Sequence, residues 1–181
     1  MTKPLVILLS GWAGSGKDSA AELLVEEMAF VRVAFADMLK TEVSTAYRLP
    51  LTMFHNAFKD RYVESVDATP RQLLIQHAAD RKRKDPHVYS RAVVAQITEH
   101  SGRCVVSDWR YRHEYVFLKE NLHNAHIVRG RIVRSSVCPG DDPSEHDLDD
   151  ETMDFTITND GCISDLRDSI KATVRAIIHC L

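Results

Sequence analysis

The apolar run Leu5-Val6-Ile7-Leu8-Leu9 leads into Gly11-Trp12-Ala13-Gly14-Ser15-Gly16-Lys17-Asp18-Ser19, after which Ala20, Ala21, Leu23, Leu24 and Met28 recur at helical spacing. A run of that length and β-branched content suits a strand buried on both faces. The pattern G-x-x-x-x-G-K therefore stands between a strand and a helix, the context in which it makes a phosphate-binding loop. Gly11, Gly14 and Gly16 let the amides of Ala13, Ser15 and their neighbours approach a polyphosphate, and the new helix directs its positive dipole end at the charge. Lys17 reaches the β- and γ-phosphates. The plainer reading, a glycine-rich turn with a surface lysine, is disfavoured by the flanks. Asp18 stands where a metal-ligating Ser or Thr is usual, and Ser19 follows it. Either could serve a Mg²⁺ ion, and the choice between them stays open.

Further along, Val31 to Ala36 reads as a second strand ending at Asp37. A carboxylate at the carboxyl edge of a parallel sheet is placed for metal, substrate or general-base work, and it equally suits the N-cap of a helix beginning at Met38. That helix extends to about Arg48, and the stretch from Thr52 to Tyr62 mixes aromatic and basic residues. Thr69-Pro70 and Asp85-Pro86 each give a helix start signal, and the first of these helices ends in Arg81-Lys82-Arg83-Lys84, a basic end that ordinarily forms a solvated face. Cys104 to Asp108 has the form of a Walker B strand, whose acid would orient Mg²⁺, and Arg110 two residues on suits bidentate phosphate contact. Asp108 could also simply cap a helix.

A strand from Ala125 to Val128 leads to Arg129, Arg131 and Arg134, cations suited either to a lid over transferring phosphates or to a solvated turn. The segment from Ser135 to Asp150 is loop-like and rich in acids, among them Asp141, Asp142, Glu145 and Asp147, without the periodic oxygen ligands of a calcium loop. His146 has no ligand cluster around it, which argues against zinc. Phe155 to Thr158 makes a fifth strand. Asn159-Asp160-Gly161 turns the chain into a last helix marked by Ile163, Leu166, Ile170, Val174, Ile177 and Ile178.

Strands alternating with helices predict an α/β fold: a five-stranded parallel sheet with helices on both faces, in three layers, with a lid segment at about 129–150. At 181 residues, 44% of them hydrophobic, one domain accounts for the whole chain. A net charge of −3 gives no general attraction to nucleic acid, so a small ligand is favoured. The four cysteines show no C-x-x-C spacing, there is no signal-peptide pattern, and no apolar run is long enough to span a bilayer. Free thiols in a reducing cytoplasm and no membrane association are expected.

The chain resembles the bacteriophage deoxynucleoside monophosphate kinases of the P-loop kinase superfamily along nearly its whole length. The likeness rests on Gly11 to Ser19, with Gly-Lys-Asp in place of Gly-Lys-Thr, on Phe35-Ala36-Asp37-Met38-Leu39-Lys40, and on Thr69-Pro70-Arg71-Gln72-Leu73-Leu74 followed by Asp85-Pro86. It continues through Ser107-Asp108-Trp109-Arg110 with His113-Glu114, and Ile157-Thr158-Asn159-Asp160-Gly161. Trp109 is bulkier than the residue usual between the acid and the arginine. The resemblance implies the P-loop kinase fold, ATP and Mg²⁺ as donor and cofactor, and a deoxynucleoside 5′-monophosphate as acceptor. Residue by residue it implies that Gly11, Ala13, Gly14, Ser15, Gly16, Lys17, Asp18 and Ser19 hold the ATP phosphates, with Asn159 and Gly161 under the adenine. Asp108 would organise metal or acceptor, Arg110, Arg71 and Gln72 would contact the acceptor, and Arg131 and Arg134 would belong to the lid.

Three functions compete on these residues. In the first, acceptor phosphate attacks the γ-phosphoryl of ATP, with Asp37 as a binding residue. In the second, the acceptor is a hydroxyl of a hydroxymethylated base in phage DNA, such as 5-hydroxymethyluracil; Asp37 is then a general base, and the basic helix end contacts the strand. The third is a nucleotide-binding switch without transfer activity, hinted at by Asp18 alone. A homodimer is compatible with all three, and a viral chain would work in the host cytoplasm.

Overall fold

In the computed structural model, which describes residues 3–140 and 142–181, the elements follow as β1 (Leu5–Ser10), α1 (Lys17–Met28), β2 (Val31–Val33), α2 (Phe35–Tyr47), α3 (Pro70–Lys84), α4 (Val88–His100), β3 (Arg103–Val106), α5 (Arg112–Asn121), β4 (His126–Val133), β5 (Phe155–Thr158) and α6 (Ile163–Cys180). Asp141, counted above among the loop acids, lies outside the described residues. The chain forms two compact units, one of residues 1–34 and 94–181, the other of residues 35–93.

The larger unit is built on a parallel sheet in the order β2-β3-β1-β4-β5. β1 is the central strand, paired with β3 from Leu5↔Arg103 to Leu8↔Val106 and with β4 from Leu5↔His126 to Ser10↔Arg131. All six of its residues are buried, which is why it reads as an unbroken apolar run rather than an alternating one. Leu5, Ile7 and Leu9 share a core with Ala20, Ala21, Leu23 and Leu24 of α1 and with Leu166, Ile170 and Val174 of α6. The alanines of α1 let that helix lie close to the sheet. Ile163, expected in the same stripe, is 56% exposed instead.

Three strand boundaries differ from expectation, each for a non-local reason. β2 ends at Val33, because as an edge strand it pairs only with β3, which itself stops at Val106. Phe35, Ala36 and Asp37 open α2, so Asp37 is the third residue of a helix and neither a strand-end acid nor an N-cap. β3 likewise ends before Ser107, which puts Asp108 in the turn beyond the strand. β4 runs to Val133 rather than Val128, since β1 and β5 offer partners on both sides, the latter as far as Val133↔Thr158. Arg129 and Arg131 are consequently strand residues, and only Arg134 lies beyond the strand end.

The smaller unit has its own core of Val43, Leu49, Phe54 and Leu73. The stretch after Pro50 forms short 3₁₀ turns, burying Phe54 and leaving Phe58 exposed with the Arg61 guanidinium 4.7 Å over its ring. Thr69 and Gln72 form a capping box at the start of α3: the Thr69 hydroxyl accepts the Gln72 amide at 3.2 Å, and the Gln72 side chain accepts the Thr69 amide at 2.8 Å. At the basic end of α3, Arg81 pairs with Glu42 at 2.9 Å and Arg83 with Asp80 at 3.0 Å, in keeping with a solvated helix face.

Candidate active site

Gly11, Gly14 and Gly16 adopt φ values of +138°, +82° and +102°, a region that side-chain-bearing residues rarely enter. At two of them space is also fixed. A Cβ on Gly11 would strike the Ile132 carbonyl, and one on Gly16 would strike the Asn159 amide nitrogen. Gly16 is the N-cap of α1 and supplies no side-chain cap, so the first amides of the helix are left for another acceptor. Lys17 is 8% exposed, and its ammonium donates to the carbonyls of Gly11 at 2.5 Å and Trp12 at 2.8 Å. Burial, and then the neighbouring Arg110 charge, lower its pKa below the usual lysine value, while Glu145, Asp18 and Asp108 oppose that shift.

The turn after β3 is held by its own side chains. Trp109 is 1% exposed and donates its indole N–H to the Tyr111 carbonyl at 2.9 Å. Glu114, 6% exposed, accepts the backbone amides of both Arg110 and Tyr111 at 3.1 Å. The bulk of Trp109 thus becomes a buried anchor, and Glu114 fixes where Arg110 starts. Its position three residues after the N-cap Tyr111 is the sequence signal for that role. Arg110 donates to Ser144 Oγ and to Glu145 Oε1, both at 2.9 Å, and Glu145 Oε2 accepts the Ala13 amide of the loop at 2.8 Å.

The three arginines expected to act together have separate duties. Arg129 forks onto Asp154, reaches Glu151 at 2.9 Å and lies 4.8 Å over the Tyr115 ring, which makes it a structural residue. Burial pushes the Asp154 carboxyl up, but the hydrogen bonds from Arg129 outweigh it and hold the group below the usual carboxylate range. Arg131 donates to the carbonyls of Leu148 and Asp149. Arg134, with Gly14, Gly16, Lys17, Asp18, Ser19, Asn159 and Gly161, lines a cavity of about 400 Å³. The loop and the turn after β5 therefore meet at one cavity. Asn159 is also a brace there: its side-chain amide, 7% exposed, donates to the Ser15 carbonyl at 2.8 Å. Asp160, which had no assigned role, accepts the Ser135 amide at 2.7 Å and the Ser135 hydroxyl at 2.5 Å, tying this turn to the segment after β4.

A smaller cavity of about 140 Å³ is lined by Trp12, Ser15, Trp109, Arg110, Arg131 and Glu145 among others. Lys17, Asp18, Ser19, Asp108, Arg110, Arg131, Arg134, Asn159 and Gly161 all belong to the larger unit. Asp37, Arg71 and Gln72 belong to the smaller one. There Arg71 forks onto Asp60 at 2.5 and 3.2 Å, and Gln72 is committed to the capping box, a structural use its assignment to substrate had missed.

Among the described residues, no group of three or more His, Cys, Asp or Glu side chains is placed to hold a metal, and no helix is long and apolar enough to cross a membrane. Asp18 and Asp108 both act on the Lys17 charge. Two carboxylates and the Ser19 hydroxyl near a phosphate loop fit Mg²⁺ that arrives with a nucleotide, which takes one or two carboxylates plus phosphate oxygens rather than a cage of protein ligands. All four cysteines are free thiols, Cys104 buried and Cys138, Cys162 and Cys180 exposed.

The fold is one that solved kinases share. A gluconokinase from Sinorhizobium meliloti superposes with a TM-score of 0.52 at 12% identity, over 98% of this chain and 95% of the other. A dephospho-CoA kinase from Campylobacter jejuni gives 0.52 at 12% identity, covering 95% and 96%. TT1252 from Thermus thermophilus gives 0.55 at 14%, covering 97% and 98%. Identities this low speak to fold alone. No protein-family model matches the sequence, and no curated protein matches it significantly.

Proposed function

We propose that the protein is an ATP-dependent kinase that transfers the γ-phosphoryl group to a deoxynucleoside 5′-monophosphate, giving the diphosphate. The observation that carries the nucleotide part is the single cavity at which Lys17, Asp18 and Ser19, Arg134 and the Asn159-to-Gly161 turn converge on a loop of positive-φ glycines. Backbone amides and a helix N-terminus supply fixed positive potential for a polyphosphate, and the turn after β5 provides a wall for the attached base. Mg²⁺ bound with the nucleotide would be held by Asp108 and by Asp18 or Ser19, and would neutralise charge on the phosphates. Arg110 and Arg134 supply cations for the transferring group. The depressed pKa of Lys17 favours sharing its proton with an anion, since a phosphate oxygen compensates the charge that burial penalises.

The acceptor assignment rests on the sequence resemblance. Arg71 would exchange Asp60 for the acceptor phosphate, and Asp37 would bind rather than deprotonate, because a phosphate nucleophile is already anionic. The test is turnover of ATP and Mg²⁺ against a panel of deoxynucleoside monophosphates, beside DNA bearing hydroxymethylated bases. Diphosphate from one or more monomers is the expected result. Label entering only the DNA would move the acceptor to a polymer hydroxyl and make Asp37 the general base; ATP binding without transfer to either would leave a switch.

A further inference from the structure

We propose that segment 142–151 is a strap whose carboxylate, Glu145, occupies the Ala13 end of the phosphate loop, so that a polyphosphate takes that amide and Arg110 only as Glu145 leaves. This rests on the reading of the loop as a polyphosphate site. Glu145 stands on a one-turn 3₁₀ segment, Pro143–Glu145, with its side chain 7% exposed. One oxygen accepts the Ala13 amide at 2.8 Å and the other accepts Arg110 at 2.9 Å. These are the contacts that two oxygens of a phosphate would make at the same donors: a loop amide and a guanidinium, both charge-assisted. A carboxylate and a polyphosphate cannot share them, because the donors are used up and the two anions repel.

The strap is clasped independently of Glu145. The Arg112 amide and Nε donate to Asp147 at 2.7 Å each, Arg131 holds the carbonyls of Leu148 and Asp149, and Leu148 is buried. Release of Glu145 therefore needs the 143–145 turn to lift while the Asp147-to-Asp149 portion stays fastened. The exchange has a second effect. Arg110 loses its partner at the moment phosphate arrives, so the cation is handed to the nucleotide and is not left exposed beforehand. The apparent dissociation constant is the intrinsic one divided by the fraction of molecules with the turn lifted.

The test titrates the full-length protein with inorganic tripolyphosphate and with Mg·ATP by calorimetry, comparing the natural chain with Glu145→Gln and Lys17→Ala. Glutamine keeps the shape and removes the charge, so Glu145→Gln is expected to bind both probes tighter by about tenfold, a tilt of the size a lost charge-assisted pair produces. In the natural chain, saturating tripolyphosphate is expected to speed hydrogen exchange at the Glu145 and His146 amides, which are bonded to Asp142 and Pro143. Equal or weaker binding by a folded Glu145→Gln, with binding by the natural chain still abolished in Lys17→Ala, overturns the strap and leaves the nucleotide reading standing. Absence of binding to either protein overturns the nucleotide reading itself. Should Glu145→Gln fail to fold, exchange in the natural chain decides: unchanged or slower exchange at 145 and 146 overturns the proposal.

Discussion

Replacing Asn159 by alanine tests whether this side chain serves the loop or the ligand. Its amide is buried and donates at 2.8 Å to the Ser15 carbonyl, 144 residues away in the chain, against the very Cα at which Gly16 has no side chain. Truncation leaves the Ser15 carbonyl buried without its donor, a loss of about 1–3 kcal/mol. At roughly 2–4 °C per kcal/mol for a chain of this length, a loss near the middle of that range lowers the thermal midpoint by about 4–8 °C. Asn159→Asp should be worse, since it sets a carboxylate oxygen against a carbonyl oxygen and adds negative charge beside the cradle. The assays are thermal unfolding followed by circular dichroism and ATP titration of the same samples. Alanine is expected to reduce stability and weaken ATP together, because a loosened loop holds its amides less well. If ATP affinity falls while stability stays within about 0.5 kcal/mol of the natural chain, Asn159 is a nucleotide contact and the bracing argument is refuted.

Gly130 lies opposite Phe155 in the β4/β5 ladder, and a Cβ there would enter the Phe155 ring, so Gly130→Ala should cost about 1–3 kcal/mol in urea unfolding, largely recovered by adding Phe155→Leu. Lys17→Ala should lower turnover by at least about a hundredfold and leave the circular dichroism spectrum unchanged, because the lost charge is one that burial already disfavours; a variant that keeps activity would remove Lys17 from the machinery. The His146 ring nitrogens face two acceptors, Asp149 at 3.0 Å and the Gly140 carbonyl at 3.1 Å, and the Asp149 hydrogen bond first, then that of Gly140, raises its pKa. Only the imidazolium donates to both. Its contribution is complete below the unfolded value near 6.5 and is lost as pH rises through the higher folded value, so ATP affinity, limited by the strap, should climb over that window. His146→Gln should flatten the climb, and identical pH profiles for the two proteins would count against it.

What the sequence makes legible here is what neighbouring residues decide among themselves. The strand, glycine turn and helix around Lys17 are readable because an apolar run, positive-φ glycines and a 3.6-residue stripe are each local rules, and they agree. The same rules mark Thr69 as a helix start, yet they cannot say that Gln72 completes the cap rather than facing substrate, since either use needs only an amide at that place. The end of β2 illustrates the limit differently: Phe35 and Ala36 would suit a strand or a helix, and the outcome depends on where β3 stops, some seventy residues later. The cradle poses the sharper version of this problem. Its donors can be read from eight residues, but its occupant comes from a loop with acids at 142, 145, 147, 149 and 150, any of which has the chemistry to accept from Ala13 and Arg110. The register is chosen by the clasp, with Arg112 taking Asp147 and Arg131 taking the carbonyls of Leu148 and Asp149, and this brings the carboxylate of residue 145 onto the Ala13 amide. Shifting that register should therefore change which acid competes with phosphate without altering the cradle: Arg112→Ala, which loosens the clasp and touches no loop donor, should raise tripolyphosphate affinity in the same direction as Glu145→Gln, by a smaller factor, and an unchanged affinity would mean that Glu145 is placed by its own turn alone.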